Sequence, residues 1–335
     1  MRYVNLFLLF LLSCAVANGQ DKSKAFVERI DAGFDELVAE DAEIEWLGEG
    51  FKWTEGPVWV KGKGYLLFSD IPNNRINKWK EGDGVSVFLD RSGYTGTDKF
   101  TGEEPGSNGL MIDADGNLCL CEHGNRCVAR LNSDGSRTIL AHQFEGKRFN
   151  SPNDLVFHSN GNLYFTDPPY GLPKRYDDPA RELDWCGVYL RKPDGKITLL
   201  TKEFDRPNGI GLSPDEKTLY VAQSKGEAAI WKSFPVKADG TIGEGKLFFD
   251  ATKWAGKEDR PGSPDGLAID MKGNVWATGP GGVYVLSPNG KRLGRISTGQ
   301  RTANCCFGNE DGTVLYMTAD DYLCRIKTKV KGLGF

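Results

Sequence analysis

The sequence predicts an all-β protein, a six-bladed β-propeller with a short N-terminal helix. Two observations predict the fold: one strand pattern recurs six times, and helical periodicity is almost absent. The recurring segments are YLLFSD, NLCLCE, NLYFTD, TLYVAQ, NVWATG and TVLYMT, which begin at residues 65, 117, 162, 218, 274 and 313. Repeats spaced by about 40 to 55 residues are typical of propellers.

Each repeated unit is a β-meander. A second strand precedes the recurring segment across a turn containing Gly, Asp or Asn, and a third strand usually follows it. Six such units favour a propeller, whose radially packed blades leave only short edges, over a sandwich or an uncapped solenoid. We therefore predict one propeller domain over residues 45–335, preceded by an extension over residues 20–44. The single amphipathic stretch, residues 26–39, predicts the short helix of this extension.

The N-terminus indicates export. Arg2 precedes an apolar run over residues 6–12 and then small residues, which is typical of a signal peptide over residues 1–19. The run is too short for a membrane span, so we predict a periplasmic or secreted protein. An alternative interpretation takes residues 11–14 as a lipoprotein box with a lipid on Cys14.

The charge balance argues against a nucleic-acid partner. The formal net charge is -4, and no Lys/Arg-rich run occurs along the chain. An acidic protein without such a run repels phosphate backbones. The sequence makes no prediction of oligomeric state.

A polar residue stands at the same place in every unit, before the strand expected to line the propeller axis. These six stations are Glu55, Asn108, Asn153, Asn208, Asp265 and Asn304. Two carboxylates and four amides that converge on one axis offer oxygen ligands to a hard cation, and six to eight oxygens suit Ca²⁺. Transition metals would favour His or Cys, which no station carries. The sequence thus predicts one calcium ion at the axis.

A simpler interpretation is that the Asn-Gly and Asp-Gly pairs only form turns. Asn108 and Asn304 would then be hydrogen-bonding lining. Glu55 is the exception, because Glu is a poor turn former and yet occupies the same station. Two acids that meet on one axis would also repel each other without a cation.

Four segments resemble one known family in order along the chain: WTEGPVW, FNSPNDLVF, RPNGIGLS and SPDGLAID. The family is that of gluconolactonase, senescence marker protein and luciferin-regenerating enzyme, and CEHGNRCVAR and YFTDPPYGL look closest to its bacterial gluconolactonase branch. The resemblance implies that Glu55, Asn208 and Asp265 bind calcium. It implies that Asn153 is either a fourth metal ligand or a contact to substrate and ligated water.

The resemblance also implies an activity, the calcium-dependent hydrolysis of a small sugar lactone such as gluconolactone by water. We expect Asp265 to be the catalytic residue that takes the proton from the attacking water. Distant phosphotriesterase-like relatives suggest a nucleophilic role for Asp265 instead, and both roles stay open. The candidate substrate contacts are Asn108, Asn153, His123, Asp167 and Arg148; for the last three, structural or surface roles are the alternative.

Two other functions fit the same features. The calcium site could serve another ester, lactone or phosphotriester, since substrate choice depends on the loops over residues 91–105 and 168–185. The propeller could also be an exported binding scaffold with structural calcium.

Overall fold

The computed structural model describes residues 24–335, which form a six-bladed β-propeller. Each blade is an antiparallel sheet, and the six innermost strands contact one another in a closed ring. The predicted fold is therefore confirmed. Each blade has an outer strand that the repeated pattern does not reveal.

The first three blades follow one another along the chain. From the inside outward, blade one consists of Thr54–Val60, Tyr65–Asp70, Arg75–Lys80 and Gly84–Asp90. Blade two consists of Ser107–Ile112, Leu118–Glu122, Cys127–Leu131 and Arg137–Ala141. A two-stranded hairpin, Gln143–Phe144 with Lys147–Arg148, leads to blade three, which consists of Leu155–Phe157, Leu163–Asp167, Gly187–Arg191 and Ile197–Thr201.

The last three blades include two strands from the start of the described chain. Blade four consists of Pro207–Leu212, Thr218–Gln223, Ile230–Pro235 and Lys246–Asp250. Blade five consists of Leu267–Ile269, Val275–Gly279, Gly282–Leu286 and Arg292–Ser297, with Phe26–Arg29 as a fifth, outermost strand. Blade six consists of Thr302–Gly308, Val314–Ala319 and Tyr322–Lys327, with Ile44–Glu49 outermost. Short 3₁₀ turns lie at Ala32–Phe34, Arg175–Asp177, Gly226–Ala228 and Thr252–Trp254.

The short N-terminal helix predicted over residues 26–39 is not formed. Phe26–Arg29 pairs instead with the edge of blade five, and Ala32–Phe34 makes one 3₁₀ turn capped by Asp31. Phe34 is fully buried whereas Phe26 is 48% exposed, so the apolar residues do not share one buried face. Strand pairing gives the backbone N–H and C=O groups of this segment hydrogen-bond partners, whereas a short isolated helix would be only marginally stable.

The predicted signal peptide and Cys14 lie outside the described residues. No helix within residues 24–335 is long and apolar enough to cross a membrane.

The hydrophobic core lies between the blades. Six clusters of buried side chains occur, one for each pair of neighbouring blades. Trp59 of blade one stacks on Tyr316 of blade six with ring centroids 5.6 Å apart, and Phe165 stacks on Tyr189 within blade three at 5.4 Å. Full burial of each large apolar side chain contributes about 1.5–3 kcal/mol. These contacts hold the blades, and hence the inner strands, at fixed angles around the axis.

The cysteines in the described part of the chain belong to this packing. All seven are free thiols, and six of them are buried. Cys305 packs between blades five and six, whereas the adjacent Cys306 faces blade one. Burial raises the pKa of Cys305, which keeps this thiol protonated.

Candidate functional site

A β-bulge interrupts the inner strand at four of the six predicted stations. The pairing register shifts beside Glu55, Asn108, Asn208 and Asn304. In blades three and five, regular pairing begins only at Leu155 and Leu267, just after Asn153 and Asp265. A bulge re-aims a side chain out of the alternating pattern of its strand. The stations can therefore point at the axis while the rest of the strand packs against its neighbours.

The glycine after a station lets the next blade come close. A Cβ on Gly56 would lie 2.0 Å from the carbonyl oxygen of Asn108, and one on Gly209 would lie 2.1 Å from that of Asp265. Real Cβ atoms do not approach so closely, so only glycine fits at these two positions. Glu55 and Asn208 are thus held against the stations of the following blades, Asn108 and Asp265.

Hydroxyl groups on the second strand of several blades hydrogen-bond the backbone of the inner strand of the next blade, at or beside its station. Ser69 Oγ donates to the carbonyl oxygen of Asn108 at 2.9 Å, and Thr166 Oγ1 donates to that of Asn208 at 2.8 Å. Thr278 Oγ1 donates in the same way to Ala303, next to the sixth station, at 2.8 Å. These buried hydrogen bonds cross from one blade to the next and help to position Asn108, Asn208 and the backbone beside Asn304.

Five of the six stations surround one cavity of about 310 Å³ at the propeller axis. They are Glu55, Asn108, Asn153, Asn208 and Asp265. The sixth, Asn304, hydrogen-bonds Glu55 and borders a second cavity on the opposite side of the ring. The structure thus brings together the four residues that the family resemblance offered as metal ligands, Glu55, Asn153, Asn208 and Asp265.

The acids of this cavity repel one another. Removal from water, with a further contribution from Asp154 and Glu104, raises the pKa of Glu55 from 4.5 to about 8. Removal from water and the charge of Glu55 likewise raise the pKa of Asp265 well above its usual range. Without a cation the site favours protonated carboxyl groups, so a divalent ion would relieve the repulsion.

The residues present fit a hard cation. Asn153 Oδ1 and Asp265 Oδ1 are buried without a hydrogen-bond partner in the structure. Buried polar atoms almost always have a partner, and two such oxygens in one cavity are those that a metal ion would satisfy. Within residues 24–335, no three His, Cys, Asp or Glu side chains cluster closely enough to hold a metal by themselves. A cation here would therefore need the amide oxygens as ligands.

Asn208 is oriented by its neighbours. Its Nδ2 donates to Ser224 Oγ at 3.0 Å, and its side chain also hydrogen-bonds Asp265. Because the amide nitrogen makes these contacts, the amide oxygen is the atom left for a cation. Tyr170 hydrogen-bonds Ser224, and loss of water raises the pKa of Tyr170, which keeps its hydroxyl protonated as a donor.

The comparison with known proteins identifies the family of the chain. The family described as the SMP-30/Gluconolactonase/LRE-like region matches residues 53–321, from just before the first station to beyond the last. The chain belongs to this family. The resemblance seen in the sequence is confirmed.

Relatives within the family cover most of the chain. The gluconolactonase of Zymomonas mobilis is 39% identical over 318 residues, which is 93% of this chain and 87% of that protein. Regucalcin of Xenopus laevis is 28% identical over 283 residues, 82% of this chain and 85% of that protein. A solved gluconolactonase of Xanthomonas campestris superimposes with a TM-score of 0.77 at 31% identity, covering 90% of this chain and 94% of that one.

Three candidate substrate contacts lie outside the cavity wall of this SMP-30/gluconolactonase family member. His123 is fully buried, with Nδ1 3.0 Å from Glu104 Oε2. Asp167 is fully buried and accepts from the backbone N–H groups of Asn150 and Ser151 at 2.9 and 2.8 Å. Both residues support the loops that carry Glu104 and Asn153.

Arg148 is the third of these candidates. Its side chain is exposed on the hairpin before blade three and donates to the carbonyl oxygen of Asn125 at 3.1 Å. Its backbone N–H donates to Glu182 at 2.8 Å. Asn108 and Asn153, by contrast, line the cavity as the sequence analysis expected.

The structure adds cavity residues that sequence reasoning did not single out as contacts. They are Trp53, Glu104, Arg175, Arg206, Ser224, Ser263 and Arg301. Glu104 and Arg175 belong to the two loops that the sequence marked for substrate choice, and Arg206 opens the RPNGIGLS segment. Their positions in these loops and in this motif were the features of the sequence that could have suggested them. A loop sequence does not show which of its side chains points into the cavity.

A further acid lies under the ring. Asp154 occupies the place after Asn153 where four other stations are followed by glycine. It borders the second cavity, of about 430 Å³, whose wall is mostly apolar. Removal from water raises the pKa of Asp154 to about 7, although the backbone N–H groups of Leu155 and Ile210 donate to it. Its charge adds to the repulsion felt by Glu55 and Asp265.

Proposed function

We propose that this protein is a calcium-dependent hydrolase that opens a sugar lactone. The observation that carries the proposal is the convergence of Glu55, Asn153, Asn208 and Asp265 on one cavity, where two buried oxygens have no partner in the structure. The 39% identity to the Zymomonas mobilis gluconolactonase, over 93% of this chain, supports the lactone as substrate.

Glu55, Asn208 and Asp265 would hold the ion, with Asn153 as a fourth ligand or as a contact to substrate. Bound there, calcium would supply a Lewis acid for the lactone carbonyl and positive charge for the oxyanion that develops on it. Asn208 is already oriented for this task by Ser224. Asn108 offers its amide to the hydroxyl groups of a sugar from the neighbouring blade.

Asp265 would act as the general base. It is partly exposed to the cavity, so a water molecule bound there can reach its carboxylate. The carboxylate takes a proton from this water as the water oxygen attacks the carbonyl carbon, and the proton then passes to the ring oxygen as the ester bond breaks. Bound calcium would lower the pKa of Asp265 from its raised level in the metal-free site and so keep the carboxylate ionised, as a general base must be.

The test is hydrolysis of glucono-1,5-lactone, followed by acid release after subtraction of the spontaneous rate. We expect activity with Ca²⁺, and a loss of about 100-fold or more with a chelator. Asp265→Asn should lower kcat by about 10² to 10⁴. Asp194→Asn, which changes an acid in a turn of blade three, is the matched control.

Several outcomes would contradict the proposal. Full activity in chelator would remove the metal from the mechanism, and wild-type turnover in Asp265→Asn would remove the base. If hydrolysis in H₂¹⁸O labels Asp265 during a single turnover, the carboxylate is a nucleophile instead. If no lactone is hydrolysed and chelator unfolds the protein, the calcium site is structural.

A further inference from the structure

Three arginines stand around the mouth of the active-site cavity, above the buried acids. Arg175, Arg206 and Arg301 all line it. Arg175 and Arg301 are exposed and Arg206 is half-buried, whereas Glu55 on the floor is 2% exposed. The cavity therefore has a negative floor, which a cation would neutralise, and a positive mouth.

Only one of the three has a carboxylate partner among the described residues. Arg301 makes two hydrogen bonds to Asp320, at 3.0 and 2.7 Å, and stacks on Trp53. Neither Arg175 nor Arg206 takes part in an ion pair within residues 24–335. Arg137, a half-buried arginine of blade two, is by contrast paired with Glu122.

Tyrosine rings hold the two unpaired guanidinium groups in place. The guanidinium carbon of Arg175 lies 5.9 Å from the centroid of the Tyr170 ring, and that of Arg206 lies 5.7 Å from the Tyr176 ring. Tyr176 is itself anchored, since its hydroxyl donates to the carbonyl oxygen of Asp205 at 2.7 Å. Arg206 also hydrogen-bonds the Tyr176 side chain. The remaining N–H donors of the two guanidinium groups match the oxygens of a carboxylate or phosphate.

We propose that Arg175 and Arg206 form a subsite for an anionic substituent on the lactone, a carboxylate or phosphate at the end of the molecule away from the reacting carbonyl. The inference rests on the proposed function. A neutral sugar lactone would use hydroxyl contacts and would leave both charges without a counterpart. The carboxylate released by ring opening cannot take this role, because it forms on the floor of the cavity, next to Asp265.

The test compares two lactones with the same ring, glucono-1,5-lactone and 6-phosphoglucono-1,5-lactone. A second comparison, of glucaro-1,4-lactone with glucono-1,4-lactone, tests a carboxylate as the anionic substituent. We expect wild-type kcat/KM to favour an anionic lactone by about 10-fold or more. Arg206→Gln and Arg175→Gln should each reduce that preference by about 10-fold, and Arg206→Lys should restore part of it.

Arg181→Gln is the matched control. Arg181 stacks on the same Tyr176 ring at 5.3 Å but does not line the cavity. We expect it to keep the wild-type preference. A preference near one in the wild type in both arms, or an unchanged preference in Arg206→Gln and Arg175→Gln, would overturn the inference and leave the proposed function standing.

A binding measurement keeps the inference testable without turnover. Calorimetry with Ca²⁺ present would compare gluconate with 6-phosphogluconate and with glucarate. We expect an anionic substituent to tighten binding by about 10-fold, and Arg206→Gln to abolish that gain. Equal affinity for all three acids in the wild type would overturn the subsite, whereas failure of lactone hydrolysis alone would overturn only the proposed function.

Discussion

Asn208 Nδ2 donates a hydrogen bond to Ser224 Oγ across 3.0 Å. Both residues border the cavity, and the bond determines which face of the amide is left for a cation. We predict that Ser224→Ala weakens calcium binding by about 10- to 100-fold, because partners of this kind orient metal ligands. Calcium titration by calorimetry measures this change in affinity, and Ser233→Ala, on the third strand of blade four, is the control. An affinity equal to that of the wild type would contradict the prediction.

The acids of the ring predict how stability depends on pH. The pKa of Glu55 is raised from 4.5 to about 8, so between these values the folded protein without metal holds a proton that the unfolded chain has released. The free energy of unfolding must then be highest at the acid end of this window and fall as pH rises through it. Asp265 and Asp154, whose pKa values are also raised, act in the same direction.

Thermal unfolding with chelator and with saturating Ca²⁺ checks this prediction from about pH 5 to about pH 8. We expect Tm to fall with pH in chelator. Calcium should remove most of the fall, because protons and the ion compete for the same carboxylates. Glu55→Gln should flatten the profile in chelator. Parallel profiles with and without calcium would refute the prediction.

The close approach of blades four and five predicts that Gly209 cannot be replaced by a larger residue without loss of stability. In Gly209→Ala the new Cβ would lie 2.1 Å from the carbonyl oxygen of Asp265, so the blades must shift apart. We expect a loss of about 1–3 kcal/mol in the free energy of unfolding, and a larger loss of activity, since Asp265 moves. Gly226→Ala is the control, because a Cβ there meets nothing within 4 Å. Equal stability of the two variants in denaturant unfolding would be evidence against this packing.

Arg148 tests whether residues outside the cavity wall contact the substrate. The sequence analysis proposed it as a substrate contact, but its side chain is exposed and contacts Asn125 outside the cavity. We predict that Arg148→Ala changes kcat/KM for glucono-1,5-lactone by less than about 2-fold. Asn153→Ala, whose side chain lines the cavity, should reduce kcat/KM by about 10-fold or more. A large effect of Arg148→Ala would show that the hairpin reaches the substrate.

The fold was predictable because its inner strands are repetitive. Buried strands repeat one pattern, whereas the outermost strand of blade one, Gly84–Asp90, is almost wholly exposed and carries no pattern to recognise. The helix predicted over residues 26–39 was wrong for a different reason. Phe26 and Phe34 have the spacing of a helix face, but long-range pairing with blade five decides the conformation.

The site was predictable only where local spacing determines position. Glu55 and Asp265 stand at fixed distances before recurring strands, so counting residues places them on the axis. His123, Asp167 and Arg148 depend on how loops fold over the blades, and their motifs do not encode that direction. The role proposed for Arg206 could not be assigned for the same reason, since its guanidinium group packs on Tyr176, which lies in another loop.

Blade six joins the two ends of the described chain, because Ile44–Glu49 pairs with Tyr322–Lys327. A ribosome makes the first of these strands long before the second, so the propeller remains an open arc until residues 322–327 have been made. Glu55, which follows the early strand, can meet Asp265 in its final geometry only after that late step. In a circular permutant that starts at the beginning of blade one, Ile44–Glu49 would follow Tyr322–Lys327 along the chain, so the two paired strands of blade six would be made close together in time.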